Sequence, residues 1–225
     1  MKKQRGIVIT GGEGPDPQII KQILEECVAG ALLVAADSGL ILAEEAGLRP
    51  DWVVGDMDSL GKILRGEDRL HSYPPDRVIR HAVDKDHTDT ELALALLRKN
   101  GCDEAWIIGG GGGRIAHLFG IRDLFEREKF PHRWITAAED IYCMDADAEN
   151  SSLTLKLKQG DVVSVFSLGN GPWKAESKGL KWPLSKVKWE RGLYGLSNVA
   201  AAEEIEVAAK QGRFMVILEG AWQRT

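Results

Sequence analysis

Residues 104–128 read EAWIIGGGGGRIAHLFGIRDLFERE. Glu104–Ile108 is a short apolar run of strand type. Gly109–Gly113 follow without interruption, and Arg114–Glu128 brings its apolar residues back at helical spacing. The same strand-then-helix rhythm runs upstream. Gly6–Thr10 (GIVIT) predicts a strand, and Asp16-Pro17 supplies an N-cap and a first helical residue. Ile19, Ile20, Ile23, Leu24, Cys27 and Val28 continue that helix until Gly30. Ala31–Ala36 predicts the next strand, ending at Asp37, and Gly39–Gly47 a helix. Asp51–Val54 predicts a strand that empties into Gly55-Asp56-Met57-Asp58-Ser59, and Arg77–Ala82 a further one. The clearest helix is Asp89–Lys99, opened by a Thr88/Glu91 capping box and closed by Asn100-Gly101. Strands alternating with helices imply an α/β fold, a mostly parallel Rossmann-like sheet covered on both faces.

Near residue 145 the pattern changes. Ser152–Lys158 alternates Leu153, Leu155 and Leu157 with Thr154, Lys156 and Lys158, the signature of a half-buried strand. Gln159-Gly160-Asp161 is a turn, and Val162–Leu168 the next strand. Glu204–Ala208 and Phe214–Leu218 flank Gln211-Gly212-Arg213, which predicts a hairpin. The expectation is therefore an α/β domain over residues 1–146, followed by an all-β antiparallel domain over residues 147–225, joined at the polar stretch Met144–Ser151.

Composition narrows the function classes. The chain has 225 residues, 44% hydrophobic and 28% charged, and 29 basic against 34 acidic side chains give a net charge of −5. A surface that binds nucleic acid generally is not expected from that balance. Three cysteines (Cys27, Cys102 and Cys143) lie far apart without metal-ligand spacing, which suits a reducing cytoplasm. Only Gly6–Thr10 separates the basic N-terminus from Gly11-Gly12, too short for a signal-peptide core. No apolar run is long enough to span a membrane, so no membrane association is expected.

Carboxylates recur at the predicted strand ends and helix starts: Asp37, Asp56 with Asp58, Asp84 with Asp86, and Asp89. In open α/β sheets ligands bind outside the carboxyl ends of the strands. If these strands are neighbours, several carboxylates meet at one rim, and hard oxygen ligands without His or Cys suit Mg²⁺ with phosphates. Two readings of Asp56-x-Asp58 stand side by side. In an extended segment both carboxylates point one way and grip a cation; in a turn they cap the backbone. Asp89 in a first helical turn complements the helix dipole without any ligand. Five consecutive glycines make sense where a ligand approaches the main chain closely, amides and a helix N-terminus turned to an anion, with Arg114 adding a phosphate contact. A ligand-free flexible turn is the other reading. The run is neither a Walker A loop nor G-x-G-x-x-G, and no Gly-x-Ser-x-Gly elbow occurs. The five histidines show no metal-binding spacing; Trp173, Trp182 and Trp189 are expected mostly in the core of the tail, with one or two free to stack on a flat ligand.

Several segments together resemble the thiamine pyrophosphokinase (thiamine diphosphokinase) family. They are Ala36-Asp37-Ser38-Gly39, Arg49-Pro50-Asp51 leading into Gly55-Asp56-Met57-Asp58-Ser59, and Asp84-Lys85-Asp86-His87-Thr88-Asp89-Thr90-Glu91-Leu92-Ala93-Leu94. Gly112-Gly113-Arg114-Ile115-Ala116-His117, Gly179-Leu180-Lys181-Trp182-Pro183-Leu184 and Gly195-Leu196-Ser197-Asn198 follow in the family's order. The resemblance implies transfer of the pyrophosphoryl group of ATP to the thiamine hydroxyl with release of AMP. It implies Asp56, Asp58 and Asp89 as catalytic residues and Mg²⁺ ligands. ATP and phosphate contacts would come from Asp37, Ser59, Lys85, Asp86, Thr88, Gly112, Gly113, Arg114 and His117, and thiamine contacts from Trp182, Ser197 and Asn198. It also implies that residues 1–146 form the catalytic, nucleotide-binding domain and residues 147–225 a thiamine-binding β-sandwich, in a homodimer with thiamine sites at the subunit interface. Three positions depart from the family pattern, the mildest being Ser38, where a first glycine after Asp37 is usual. Ala116 stands where Gly-Gly-Arg-x-Asp-His has its acid, and Ile121 where an Asn is usual. A methyl cannot bond a substrate amine or a metal-bound water, so these changes leave open a different alcohol acceptor, or a homologue that binds nucleotide or thiamine without turnover.

Overall fold

The computed structural model describes residues 4–27, 30–61 and 66–220, and divides into two units: Met1–Leu124 with Trp134–Ala137, and Phe125–Arg133 with Ala138–Thr225. The polar stretch at 144–151 lies within the second unit.

In the first unit the strands are β1 (Arg5–Thr10), β2 (Leu32–Ala36), β3 (Trp52–Gly55), β4 (Val78–Arg80), β5 (Glu104–Gly109) and, from its second residue on, β6 (Arg133–Ile135). Their order is β6-β5-β1-β2-β3-β4, and β5, β1, β2, β3 and β4 run parallel. The helices are α1 (Pro17–Cys27), α2 (Gly39–Glu45), α3 (Asp58–Gly61), α4 (Gly66–Leu70), α5 (Asp89–Lys99) and α6 (Ile115–Leu124). Val28, expected in α1, lies outside the described residues. Strand alternation sends Val34, Ala36 and Val54 to one face, where Ala93 and Leu97 of α5 cover them. Ala35 and Val53 go to the other, under Leu40 of α2, Leu60 of α3 and Leu70 of α4. Both faces are thus dry, which is why β1 and β2 read as continuous apolar runs. The capping box of α5 forms as expected: Thr88 Oγ1 accepts from Glu91 N at 3.3 Å and Glu91 Oε2 accepts from Thr88 N at 2.7 Å. Among the described residues, no helix is long and apolar enough to cross a membrane.

In the second unit β7 (Glu139–Asp145), β9 (Val162–Leu168), β11 (Gly195–Val199) and β13 (Arg213–Glu219) pair in the order β11-β9-β13-β7. β8 (Ser152–Lys156), β10 (Lys174–Lys178) and β12 (Glu204–Gln211) pair as β10-β12-β8. Every pairing among these strands is antiparallel. Val163, Val165, Phe214 and Val216 of the first sheet pack with Ala175, Ile205 and Val207 of the second in one core, so the expected sandwich forms.

Two expectations need correction. Glu204–Ala208 and Phe214–Leu218 do not form a hairpin. Only Gly212 separates β12 from β13, fewer residues than a hairpin loop requires, and the two strands belong to different sheets. Gly212 (φ +75°) is a corner, and a Cβ there would stand 2.7 Å from Pro172 O and 2.8 Å from Trp173 Cδ1. The helix expected over 114–128 ends at Leu124. The carbonyls of Phe125 and Arg127 instead accept from Arg213 Nη1 at 2.9 and 2.7 Å, and the Arg213 guanidinium lies 3.8 Å from the centre of the Phe130 ring.

Candidate active site

β2 and β3 are parallel neighbours in register Ala36↔Val54, so the residues that follow them emerge at one rim. Asp37 N donates to Val54 O at 2.9 Å. Asp37 (φ +45°) and Met57 (φ +64°) both hold left-handed backbone that non-glycine residues seldom adopt. Such a conformation costs roughly 1–3 kcal/mol and persists only where packing enforces it. Met57 provides that packing: its side chain is buried among Leu40, Val53 and Leu60. The turn corrects the extended reading of Asp56-x-Asp58. The carboxylates converge because Met57 reverses the chain, and Asp56 Oδ1 accepts from Asp58 N at 3.0 Å. The capping reading is therefore also realised. One carboxylate oxygen each from Asp37, Asp56 and Asp58 lie within 4.8 Å of one another. Asp37 is buried and its Oδ1 accepts from Leu60 N at 3.2 Å; Ser59 Oγ donates to Asp58 Oδ1 at 3.1 Å. A group of carboxylates alone, partly oriented by backbone amides, fits a hard divalent cation.

Asp89 reaches the same rim from the first turn of α5. Its Oδ1 lies 3.1 Å from Lys85 Nζ, which donates to Asp56 Oδ2 at 2.6 Å. Burial raises the Asp89 carboxyl above the usual carboxylate range; Lys85 opposes this, and Asp56 and Asp37 add to it. Burial pulls Lys85 down, but its two carboxylate partners outweigh that, and the ammonium is held more firmly than usual. Gly55 (φ +152°) lets these groups crowd together: a Cβ there would lie 3.1 Å from Asp89 Cγ and 3.2 Å from Asp37 Cβ.

The rim opens on a cavity of about 630 Å³ lined by Asp37, Asp56, Asp58, Ser59, Lys85, Asp86, Thr88, Asp89, Gly112, Gly113, Arg114 and His117. Each residue expected from the resemblance to contact phosphate or metal thus lies on this one surface. The glycine loop is held from both sides. Trp134 Nε1 donates to Gly109 O at 2.7 Å, and Gly111 exchanges two backbone hydrogen bonds with Glu13, at 2.8 and 2.9 Å. Gly110, Gly112 and Gly113 all have positive φ, and a Cβ on Gly112 would strike the Glu13 side chain at 2.4 Å. Arg114, just before α6, contacts the His117 ring. The cavity also takes in Ser38, beside Asp37, and Thr10, Gly11 and Gly12, whose residue types announce no ligand by themselves. The strand-to-glycine step Thr10-Gly11-Gly12 was the available signal, a smaller copy of the step at Gly109.

Ala116 and Ile121 line the cavity with Gly120, Leu124 and Val83. One wall is therefore apolar where the acidic rim and Arg114 are charged. The residues expected to touch thiamine lie in the second unit. Trp182 is half exposed, with Lys181 Nζ 4.6 Å from the centre of its ring. Ser197 (φ +51°) is exposed, and its N donates to Ser164 Oγ at 3.1 Å. Asn198 is buried and engaged internally: Nδ2 donates to Trp182 O at 2.6 Å, and Oδ1 accepts from Trp182 N and Val199 N at 3.1 and 2.9 Å. Its side chain fixes the backbone that presents Trp182. Trp173 and Trp189 donate to Leu168 O and Leu184 O and pack against the sandwich core.

Solved structures share this fold. A thiamine pyrophosphokinase from Bacillus subtilis superposes with a TM-score of 0.73 at 21% identity, covering 96% of this chain and 99% of the other. A thiamin pyrophosphokinase family protein from Enterococcus faecalis gives 0.72 at 22% identity, again over 96% and 99%. Thiamin pyrophosphokinase from Candida albicans gives 0.70 at 16%, over 97% and 89%. No curated protein sequence matches the chain. Residues 24–133 match the family model for the catalytic domain of thiamin pyrophosphokinase, a span that carries the whole acidic rim and the glycine loop. By this match residues 24–133 resemble a thiamin pyrophosphokinase catalytic domain, and the whole chain shares the fold of the solved proteins of that name.

Proposed function

We propose that the protein is an ATP-dependent thiamine diphosphokinase, transferring the pyrophosphoryl group of ATP to the thiamine hydroxyl and releasing AMP. The observation that carries this reading is the meeting of Asp37, Asp56 and Asp58 within 4.8 Å, beside a glycine loop that ends in Arg114. Phosphoryl-type transfer needs positioning and charge neutralisation more than covalent chemistry from the protein. Mg²⁺, held by Asp56 and Asp58 with Asp37 and Asp89 beside them, would neutralise charge on the polyphosphate. The backbone amides of Gly112 and Gly113, with Arg114 and His117, would orient the triphosphate; Ser59, Asp86 and Thr88 border it, and Lys85 would supply a further positive charge. Asp89, whose burial favours proton uptake, would accept the alcohol proton as the thiamine oxygen attacks. Trp182 would stack on a thiamine ring, with Ser197 beside it and Asn198 holding the loop. The protein would work as a cytoplasmic homodimer.

The test is incubation of purified protein with ATP, Mg²⁺ and thiamine. AMP and thiamine diphosphate in equal amounts are expected; no product at high enzyme concentration would overturn the reading. A second reading, transfer to another alcohol acceptor, is favoured by the apolar wall at Ala116 and Ile121. AMP formed with a different alcohol but not with thiamine would select it. Ala116→Asp is expected to raise turnover with thiamine; an unchanged rate would show that the missing acid has no part in this chain's reaction.

A further inference from the structure

Lys85 stands where a cation would. Its Nζ is 2.6 Å from Asp56 Oδ2 and 3.1 Å from Asp89 Oδ1, with the side chain 15% exposed. The other Asp56 oxygen already accepts from Asp58 N. An ammonium therefore covers the free side of one of the three grouped carboxylates. A divalent ion gathered by Asp37, Asp56 and Asp58 must displace that ammonium from Asp56 or sit beside it, and like charges a few ångströms apart at a half-buried rim repel strongly. The Lys85 side chain also lines the cavity that the glycine loop and Arg114 border. A lysine carries its charge on a flexible four-carbon stem, so it can change partners at little cost. An entering polyphosphate offers it such a partner.

We propose that Lys85 is a resident counter-cation that competes with divalent metal for Asp56, and that a polyphosphate ligand draws it away, so that metal and nucleotide bind with positive coupling. The metal half of this inference is independent of the acceptor; the polyphosphate half rests on the proposed nucleotide site. Linkage then requires each ligand to tighten the other by the same factor. Without Lys85 the carboxylates would bind metal well even in the empty protein, and the coupling would shrink.

The test is Mn²⁺ binding followed by electron paramagnetic resonance on wild type, Lys85→Met, Lys85→Gln and Lys85→Arg. Without nucleotide, Lys85→Met is expected to bind Mn²⁺ about tenfold more tightly than wild type, equivalent to about 1.4 kcal/mol, and Lys85→Arg to keep the wild-type affinity. Lys85→Gln gives the same reading should Lys85→Met fail to fold. α,β-Methylene-ATP is expected to tighten Mn²⁺ binding in wild type and to do so less in the neutral variants. Equal or weaker Mn²⁺ binding in both neutral variants would overturn the proposal. Tighter binding in those variants, from a protein that makes no AMP with thiamine, would remove the proposed activity and leave this inference standing. Normal turnover with no gain in Mn²⁺ affinity would do the reverse.

Discussion

Asp89 shows how a single carboxyl can serve a site at the expense of the fold. Its pKa is raised from the ordinary 3.8, first by burial. A carboxyl whose folded value is raised contributes stability below its unfolded pKa, and that contribution is lost as pH rises through the folded value. Asp89→Asn is therefore expected to make the metal-free protein more heat-stable at about pH 7, and the gain to vanish below about pH 4, where wild-type Asp89 is also neutral. Thermal denaturation across pH checks this. The same variant is expected to lose roughly a hundredfold in turnover, the scale of a lost general base. Gly55→Ala places a methyl against Asp89 and Asp37 on backbone that favours glycine. It is expected to cost about 1–3 kcal/mol in denaturant titrations and to weaken Mn²⁺ binding. At this scale much was legible: Asp37, Asp56, Asp58 and Asp89 all read as rim residues from strand ends and helix starts. What could not be read was how Asp56 and Asp58 converge. A left-handed methionine has no sequence signature, because it exists only while its side chain is buried between α2 and α3.

At the scale of elements, local signals succeeded where the chain's own hydrogen bonds decide the outcome. The Thr88 cap and the glycines around Gly109 specify α5 and the βα turn without long-range help. Thr88→Ala is expected to cost about 1 kcal/mol in unfolding free energy, by leaving the first turn of α5 uncapped. Signals failed where a distant partner decides. Arg213 takes the carbonyls of Phe125 and Arg127 across more than eighty positions of sequence, and no pattern near Leu124 announces that. Gly212 has the composition of a hairpin turn, yet β12 and β13 bury side chains from opposite sheets into one core. The turn residue was read correctly; what its neighbours pair with was not. Gly212→Ala is expected to lower stability by about 1–3 kcal/mol, since the corner needs positive φ and has no room for a Cβ.

At the scale of the whole molecule, the chain divides its labour. The first unit carries the acidic rim and the glycine loop; the second carries the exposed Trp182 on a loop fixed by Asn198. On the proposed function, Trp182→Ala is expected to raise the KM for thiamine by about tenfold, the order of a lost aromatic contact of about 1.4 kcal/mol, with the KM for ATP little changed. Steady-state kinetics with each substrate varied in turn separates the two. The α/β-then-β architecture was legible because period changes from helix-plus-strand to strand-only within a few residues of 145, and periodicity reports burial directly. The central claim is that separate strand ends bring carboxylates together to hold a divalent ion against a polyphosphate. Anomalous diffraction from crystals holding Mn²⁺ and α,β-methylene-ATP tests it most directly. The account predicts a manganese peak among Asp37, Asp56 and Asp58, with phosphate density against Gly112–Arg114; a peak elsewhere, or phosphates bound away from the glycine loop, would contradict it.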